Sequence, residues 1–401
     1  MKVLFINANC GVGSTGRICT DLYSMLKVKG HEARIAYATT PAIGCDEADT
    51  FKIHGKIDYY VHNLLAKATD RTGFFSDRVT KRLIQYIIKE NPDIIHLHNI
   101  HGYYVNIKIL FEFLKQLDKP IVWTLHDCWA FTGHCSHYSY EGCMKWLSGC
   151  HHCTQLKSYP VSFGLDSSER NYKDKKNLFT SIPKLWITTP SQWLAHQVKK
   201  SFLGKYDIYP IYNGIDLSVF KHVDSNIKSK LGIAKQKKVL LGVSFVWNDR
   251  KGFSDMLELD SNLDHNKYQL LLVGLSNEQL KLIPKSILGL ARTHSVYELV
   301  ELYSMADIFI NTSYEETMGL VTAEALACGT PAIVYDQTAV PEIVDSTSGF
   351  VVSAGHIDSL LKKLDPALKI EPSAAREFAL KFEKNKQYEK YYNLYNQILQ
   401  V

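Results

Sequence analysis

Residues Ser313–Asp336 read "SYEETMGLVTAEALACGTPAIVYD". They follow the apolar run "DIFIN" and hold a loop with two glutamates, a helical stretch starting near Gly319 and a second run, "AIVY". Strand, loop, helix, strand is one βαβ unit of a parallel sheet. Glu316 falls in the loop and Glu324 eight residues on, inside the helix. The helix start, with the amides of Gly319, Leu320 and Val321, is a site for an anion. Glu324, beyond the first turn, is placed to accept from the two hydroxyls of a ribose, and Glu316 to reach a sugar hydroxyl.

The same alternation extends in both directions. "KVLLGVSF" and "YQLLLVG" precede it, while "KVLFI", "ARIAYA", "DIIHLH", "PIVWTLH" and "LWITTPS" form an earlier series. The series meet near "PIYNGIDLSVF", where Asn213-Gly214 signals a turn. At about 150 residues per domain, 401 residues predict two or three domains. The reading is an α/β chain of two Rossmann-like domains, 1–212 and 213–380. A helical segment, 381–401, carries Phe382, Tyr388, Tyr392, Tyr395 and Leu399 as a docking stripe.

Composition excludes several classes. The chain is 46% apolar, ample for packed cores, and has neither a signal-peptide pattern nor an uncharged apolar run long enough to span a bilayer. A cytoplasmic location is expected, so nine cysteines are not read first as disulfides. Residues 1–212 hold 26 Lys and Arg against 18 Asp and Glu, and 213–401 hold 20 against 23, so +8 and −3 make the net +5. A basic first half suits an anionic membrane surface, a lipid-linked phosphate or nucleic acid. The segment "RVTKRLIQYIIKEN" sets Lys81, Arg82 and Lys89 beside Leu83, Ile87 and Ile88, which either touch a membrane or pack inward.

Further motifs suggest chemistry. "SFVWNDRKGF" puts Arg250 and Lys251 at a strand end, where cations neutralise a diphosphate during bond cleavage. "NANCGVGSTGR" spaces Gly11, Gly13 and Gly16 as GxGxxG, between a strand and a helix, and suits a phosphate. A nicotinamide cofactor also needs an acid at the end of the second strand, but "ARIAYATTP" ends in Thr39, Thr40 and Pro41. "DEAD" at Asp46–Asp49 has no phosphate loop before it and reads as an acidic surface loop. His96 and His98 share one face of a strand, with His101 beyond; hydrogen bonding in a cleft suits them better than a metal. His126 ends the next strand and Asp127 follows, placed to touch a substrate or to cap a helix. In the insertion 128–160, Cys135, Cys143, Cys150 and Cys153 have the composition of a closed tetrahedral zinc site, stapling a loop that lacks a core of its own. No recognition-helix pattern follows, so nucleic acid is not the expected partner.

Together "GSTGR", "HLHNIHGYY", "WTLHDCWAFTGHC", "TPSQWLA", "NGID", "DRKG" and "EETMGLVTAEALACGTP" resemble the retaining glycosyltransferases of family 4, over residues 3 to about 350. The resemblance implies the GT-B fold, two facing Rossmann-like domains with a terminal helix crossing back to the first. It also implies transfer from a UDP- or GDP-sugar to a lipid-linked saccharide in capsule, exopolysaccharide or O-antigen assembly, at the cytoplasmic face of the inner membrane. Carried over residue by residue, Glu316 would contact the donor sugar, Glu324 the ribose, and Arg250 and Lys251 the diphosphate. His126 would line the sugar pocket, and Gly13 to Gly16 would approach donor phosphate or acceptor. Many relatives carry an arginine about five residues before this lysine, where Val246 and Trp247 stand here. No cofactor is implied for catalysis; zinc would be structural. Two alternatives share the fold: a nucleotide-sugar 2-epimerase and a zinc-stabilised binding protein without activity.

Overall fold

The structure, a computed structural model, describes residues 1–38 and 41–400; Thr39 and Thr40, at the end of the second expected strand, lie outside the described residues. The chain divides into two units, one of Met1–Tyr212 with Tyr388–Val401 and one of Asn213–Gln387.

In the first unit, strands β1 (Lys2–Asn7), β2 (Glu32–Tyr37), β3 (Thr50–Lys52), β4 (Ile94–Leu97), β5 (Ile121–Thr124), β6 (Leu185–Thr189) and β7 (Asp207–Pro210) form a parallel sheet. Its order is β3-β2-β1-β4-β5-β6-β7. In the second unit, β8 (Lys238–Val243), β9 (Tyr268–Val273), β10 (Leu288–Leu290), β11 (Ile308–Asn311), β12 (Ala332–Tyr335) and β13 (Gly349–Val352) are likewise parallel. They are ordered β10-β9-β8-β11-β12-β13. The central strands are buried on both faces, hence the unbroken apolar runs of β1 and β12 rather than alternation.

In each sheet the order reverses between the first strand and the fourth: β1 beside β4, and β8 beside β11. The crevice at the carboxyl ends of such a pair is where open α/β sheets bind ligands. The four motifs richest in chemistry follow these four strands: the glycine loop, the histidine segment, "DRKG" and "EETMG".

The terminal helix, Lys384–Leu399, packs through Tyr388, Tyr391, Leu394, Tyr395 and Ile398 onto Val3, Phe5, Ile18 and Leu22. The docking stripe therefore differs in part from the expected one. Tyr392 only borders this core, Leu399 is exposed, and Phe382 is buried with the second unit. The Tyr395 hydroxyl meets His96 Nδ1 at 2.7 Å and the Thr124 hydroxyl meets His96 Nε2 at 2.7 Å, so His96 keys this helix to the sheet.

The helix Asp77–Glu90 packs inward: Leu83 and Ile87 are fully buried, and only Ile88 of the expected apolar group is exposed. No helix among the described residues is long and apolar enough to cross a membrane.

Candidate active site

In the second unit, the loop after β8 folds into a short turn, Asp249–Lys251, capped by Asn248, whose Oδ1 accepts the Lys251 N–H at 3.1 Å. Gly252 closes it with φ +69°, and a Cβ there would stand 2.2 Å from the Thr312 carbonyl oxygen. Only glycine lets the two loops approach so closely. That approach joins the cations to the glutamates. The Lys251 ammonium pairs with Glu316 Oε1, and the Ser313 hydroxyl donates to the same oxygen at 3.3 Å. The Arg250 guanidinium donates to the Glu315 carbonyl at 3.3 Å, and the Tyr314 N–H donates to the Arg250 carbonyl at 2.9 Å. The Glu316 N–H donates to Thr338 Oγ1 at 2.9 Å, which fixes the loop from its far side.

The helix that follows this loop runs Leu320–Ala327, with Gly319 at its N-cap, φ +89°, and no side-chain cap. The amides of Gly319, Leu320 and Val321 thus open the helix at the same edge as Lys251. Glu324 lies one turn in, and its Oε2 accepts from the Tyr303 hydroxyl at 3.0 Å. Burial and that carboxylate push the Tyr303 hydroxyl well above its ordinary pKa, so it stays a donor. Trp247, in the region where relatives carry an arginine, is buried, and its indole N–H donates to the Val273 carbonyl at 2.8 Å. Its neighbour Phe245 is 99% exposed. Sequence reasoning missed Tyr303, Ser313 and Thr338; only their distances to the glutamates single them out.

In the first unit, His126 Nε2 and His98 Nδ1 lie 3.0 Å apart with stacked rings. Burial lowers the His126 pKa to about 4 and that of His98 well below the usual imidazole range, so both are neutral at pH 7. Asp127 Oδ1 accepts the N–H of Trp129 at 2.9 Å, the first amide of the short helical turn Trp129–Phe131, while Oδ2 lies 3.0 Å from His101 Nε2. Burial opposes its charge, yet the His101 imidazole holds the Asp127 carboxyl at about 2. His101 Nδ1 in turn meets the Tyr159 hydroxyl at 3.1 Å. His98 Nε2 is left buried without a hydrogen-bond partner, and among the described residues no three or more His, Cys, Asp or Glu are placed to hold a metal ion.

In the glycine loop, the Gly11 N–H donates to the Gly16 carbonyl at 3.1 Å, and a Cβ on Gly11 would meet the Ile43 carbonyl at 2.0 Å. Gly16 packs 3.3 Å from Asn9 by the same measure, whereas Gly13, φ +68°, opens on empty space. Gly11 and Gly16 therefore serve the turn, and Gly13 alone leaves room for a ligand.

The four cysteines of the insertion are not joined in disulfides. Burial, then the thiols of Cys153, Cys150 and Cys143, push the Cys135 thiol up, and the Gly133 N–H donates to Cys150 Sγ at 3.1 Å. They share a region without converging as a metal-binding group. The segment packs on the core of the first unit. Trp129, Phe131, Tyr138 and Trp146 are buried there with Cys135. Lys175 Nζ, also buried, donates to the Trp129 and Thr132 carbonyls at 2.8 and 3.1 Å, and His134 Nδ1 lies 2.5 Å from Asp70.

Two parallel-sheet units with functional loops at their switch points define the GT-B class of glycosyltransferases. Solved structures match over the whole chain. A sucrose-phosphate synthase from Thermosynechococcus elongatus has a TM-score of 0.74 at 16% identity, with 99% of each chain covered. Alr3699/HepE of Anabaena, solved with UDP and glucose, has 0.65 at 16%, covering 99% of this chain and 100% of that one. At such identities the likeness shows the fold. Residues 15–219 match the model of Glycosyltransferase Family 4, and residues 223–387 that of glycosyl transferases group 1. The chain belongs to glycosyltransferase family 4. Among curated relatives, it is similar to the putative colanic acid biosynthesis glycosyl transferase WcaC of Escherichia coli K12, 24% identical over 92% of this chain and 91% of that one. It is also 22% identical to the N-acetyl-alpha-D-glucosaminyl L-malate synthase of Bacillus anthracis, over 90% of this chain and 86% of the relative.

Proposed function

We propose that this chain transfers a sugar, with retention and without a catalytic metal, from a UDP- or GDP-sugar to a lipid-linked saccharide in bacterial surface polysaccharide assembly. The observation that carries the reading is the Lys251–Glu316 pair, set beside the start of the helix Leu320–Ala327 at the β8/β11 switch point. Lys251 and Arg250 would neutralise the leaving diphosphate, and the helix amides would add their dipole to the charge that builds as the glycosidic bond breaks. Glu316 would hold the donor sugar and Glu324, steadied by Tyr303, the ribose hydroxyls. The acceptor oxygen attacks from the face the diphosphate leaves, so no side-chain nucleophile is required. In the first unit, neutral His126 is suited to a hydrogen bond with a sugar hydroxyl.

The colanic acid relative supports the polysaccharide context, and the UDP and glucose of the Anabaena structure support a uridine donor. A panel of nucleotide-sugars screened for thermal stabilisation tests the donor, since a ligand of the folded state raises its apparent stability. Stabilisation by one UDP- or GDP-sugar, lost in Glu324→Ala, is expected; no response to any of them would remove the donor assignment.

A further inference from the structure

The helix Lys56–Thr69 is amphipathic the wrong way round. Its inward side buries His62 and Ala66, with His62 Nδ1 2.7 Å from the Ser76 hydroxyl and His62 Nε2 accepting the Gly73 N–H at 3.3 Å. Its outward side carries Ile57, Tyr60, Val61, Leu64 and Leu65, between 39% and 79% exposed. Offsets of three, four, seven and eight residues place these five on one stripe. The Phe163 N–H donates to the Lys67 carbonyl at 2.8 Å, bringing exposed Phe163 and Leu165 to the end of the same helix. Scattered exposed apolar residues are ordinary, but a contiguous group of seven marks an interaction surface.

Charge selects the partner. Residues 52–82 contain seven Lys and Arg against three Asp and no Glu. The three acids are engaged within the fold: Asp58 accepts the Gly55 N–H, Asp70 meets His134, and Asp77 accepts from the Asn106 side chain. Lys52, Lys56, Arg78, Lys81 and Arg82 are exposed. An apolar stripe in a segment of net positive charge is the signature of a helix lying in an anionic lipid interface. The stripe also continues inward as ring contacts. Tyr60 and Tyr59 lie 5.6 Å apart, Tyr59 and Tyr103 5.9 Å, Tyr103 and Tyr159 6.2 Å, and Tyr159 and His101 5.7 Å. An apolar track thus connects the exposed helix with the Asp127–His101 pair.

We propose that the outer face of the helix Lys56–Thr69, with Phe163 and Leu165, seats the first unit on an anionic bilayer. This deepens the functional reading above, because the aromatic track would then lead from the surface in which a lipid-linked acceptor is anchored toward the Asp127–His101 pair.

Co-sedimentation of the full chain with vesicles of phosphatidylglycerol and phosphatidylethanolamine, against vesicles of phosphatidylcholine alone, tests it. The wild type is expected to bind the anionic vesicles and to release in ~0.5 M salt as charges are screened. Val61→Asp/Leu64→Asp should bind at least tenfold more weakly with an unchanged melting temperature, both side chains being exposed, and Lys52→Glu/Lys56→Glu should lose most of the salt-sensitive part. Failure of the wild type to bind, or equal binding by Val61→Asp/Leu64→Asp, overturns the proposal. So does a dimer in solution that this variant dissociates, since the face would then belong to a second copy. Nucleotide-sugar stabilisation read on the same samples separates the two claims: its absence with vesicle binding intact removes the donor reading and leaves the docking surface.

Discussion

The Lys251 ammonium and the Glu316 carboxylate meet across two loops that are 65 residues apart in sequence, and both side chains are about one-fifth exposed. In the proposed reaction, Lys251 would turn from this carboxylate toward the leaving diphosphate.

Replacing Glu316 with Gln keeps the shape and removes the charge. Transfer, followed by release of the nucleoside diphosphate, is expected to fall at least ~100-fold in kcat, the scale of losing an electrostatic group at a reacting centre. The melting temperature should be nearly unchanged. Near-normal turnover would take Glu316 out of the mechanism.

Tyr303 acts through Glu324. Tyr303→Phe removes one hydrogen bond to a carboxylate, worth about 1.5–3 kcal/mol. The donor KM is expected to rise roughly tenfold while kcat stays within a factor of about two, a split that loss of fold would not produce. An unchanged KM would mean that Glu324 does not hold the donor.

Gly252→Ala puts a Cβ against the Thr312 carbonyl at a positive φ. Strain of this kind costs of order 1–3 kcal/mol, so calorimetry should show a lower melting temperature together with impaired transfer. A variant as stable as the wild type would show that the two loops need not approach.

Burial lowers the pKa of His62 to about 3 and of His126 to about 4, with His96 and His98 well below the usual range. In the unfolded chain these side chains titrate near 6.5, so between there and about 4 the unfolded state binds more protons. Stability is therefore complete above about pH 6.5 and declines as pH falls toward 4. Urea midpoints across this range should show the decline, and His126→Gln should reduce its slope; midpoints independent of pH would mean that these histidines take up protons in the fold as they do in the unfolded chain.

Elemental analysis and thiol titration address the insertion. Titration of all four thiols on unfolding without release of metal would remove the structural zinc. Near-stoichiometric zinc, with a chelator lowering the melting temperature, would show that Cys135, Cys143, Cys150 and Cys153 do close on an ion.

The nine strands read from the sequence are interior ones or lie next to them. The four missed, β3, β7, β10 and β13, are the edges of the two sheets. An edge strand is short and half-covered, and so lacks the continuous apolar run of an interior strand; β7 even ends in Pro210, which an edge tolerates. The glutamates and cations were legible because each follows an unmistakable strand. Tyr303 and Thr338 were not, since a residue that meets a site from a different element leaves no local pattern.

Apolar runs and turn residues by themselves determined two βαβ series, the break at Asn213 and the loops that carry charge, because these depend on the period of the local backbone. Tertiary structure decided what those loops do. It alone paired Lys251 with Glu316, committed His96 to the terminal helix, and packed the cysteine segment on the core of the first unit. It also turned the apolar stripe of Asp77–Glu90 inward while leaving that of Lys56–Thr69 exposed. Two amphipathic helices look alike in sequence; which face is covered depends on the neighbours that the fold brings to them.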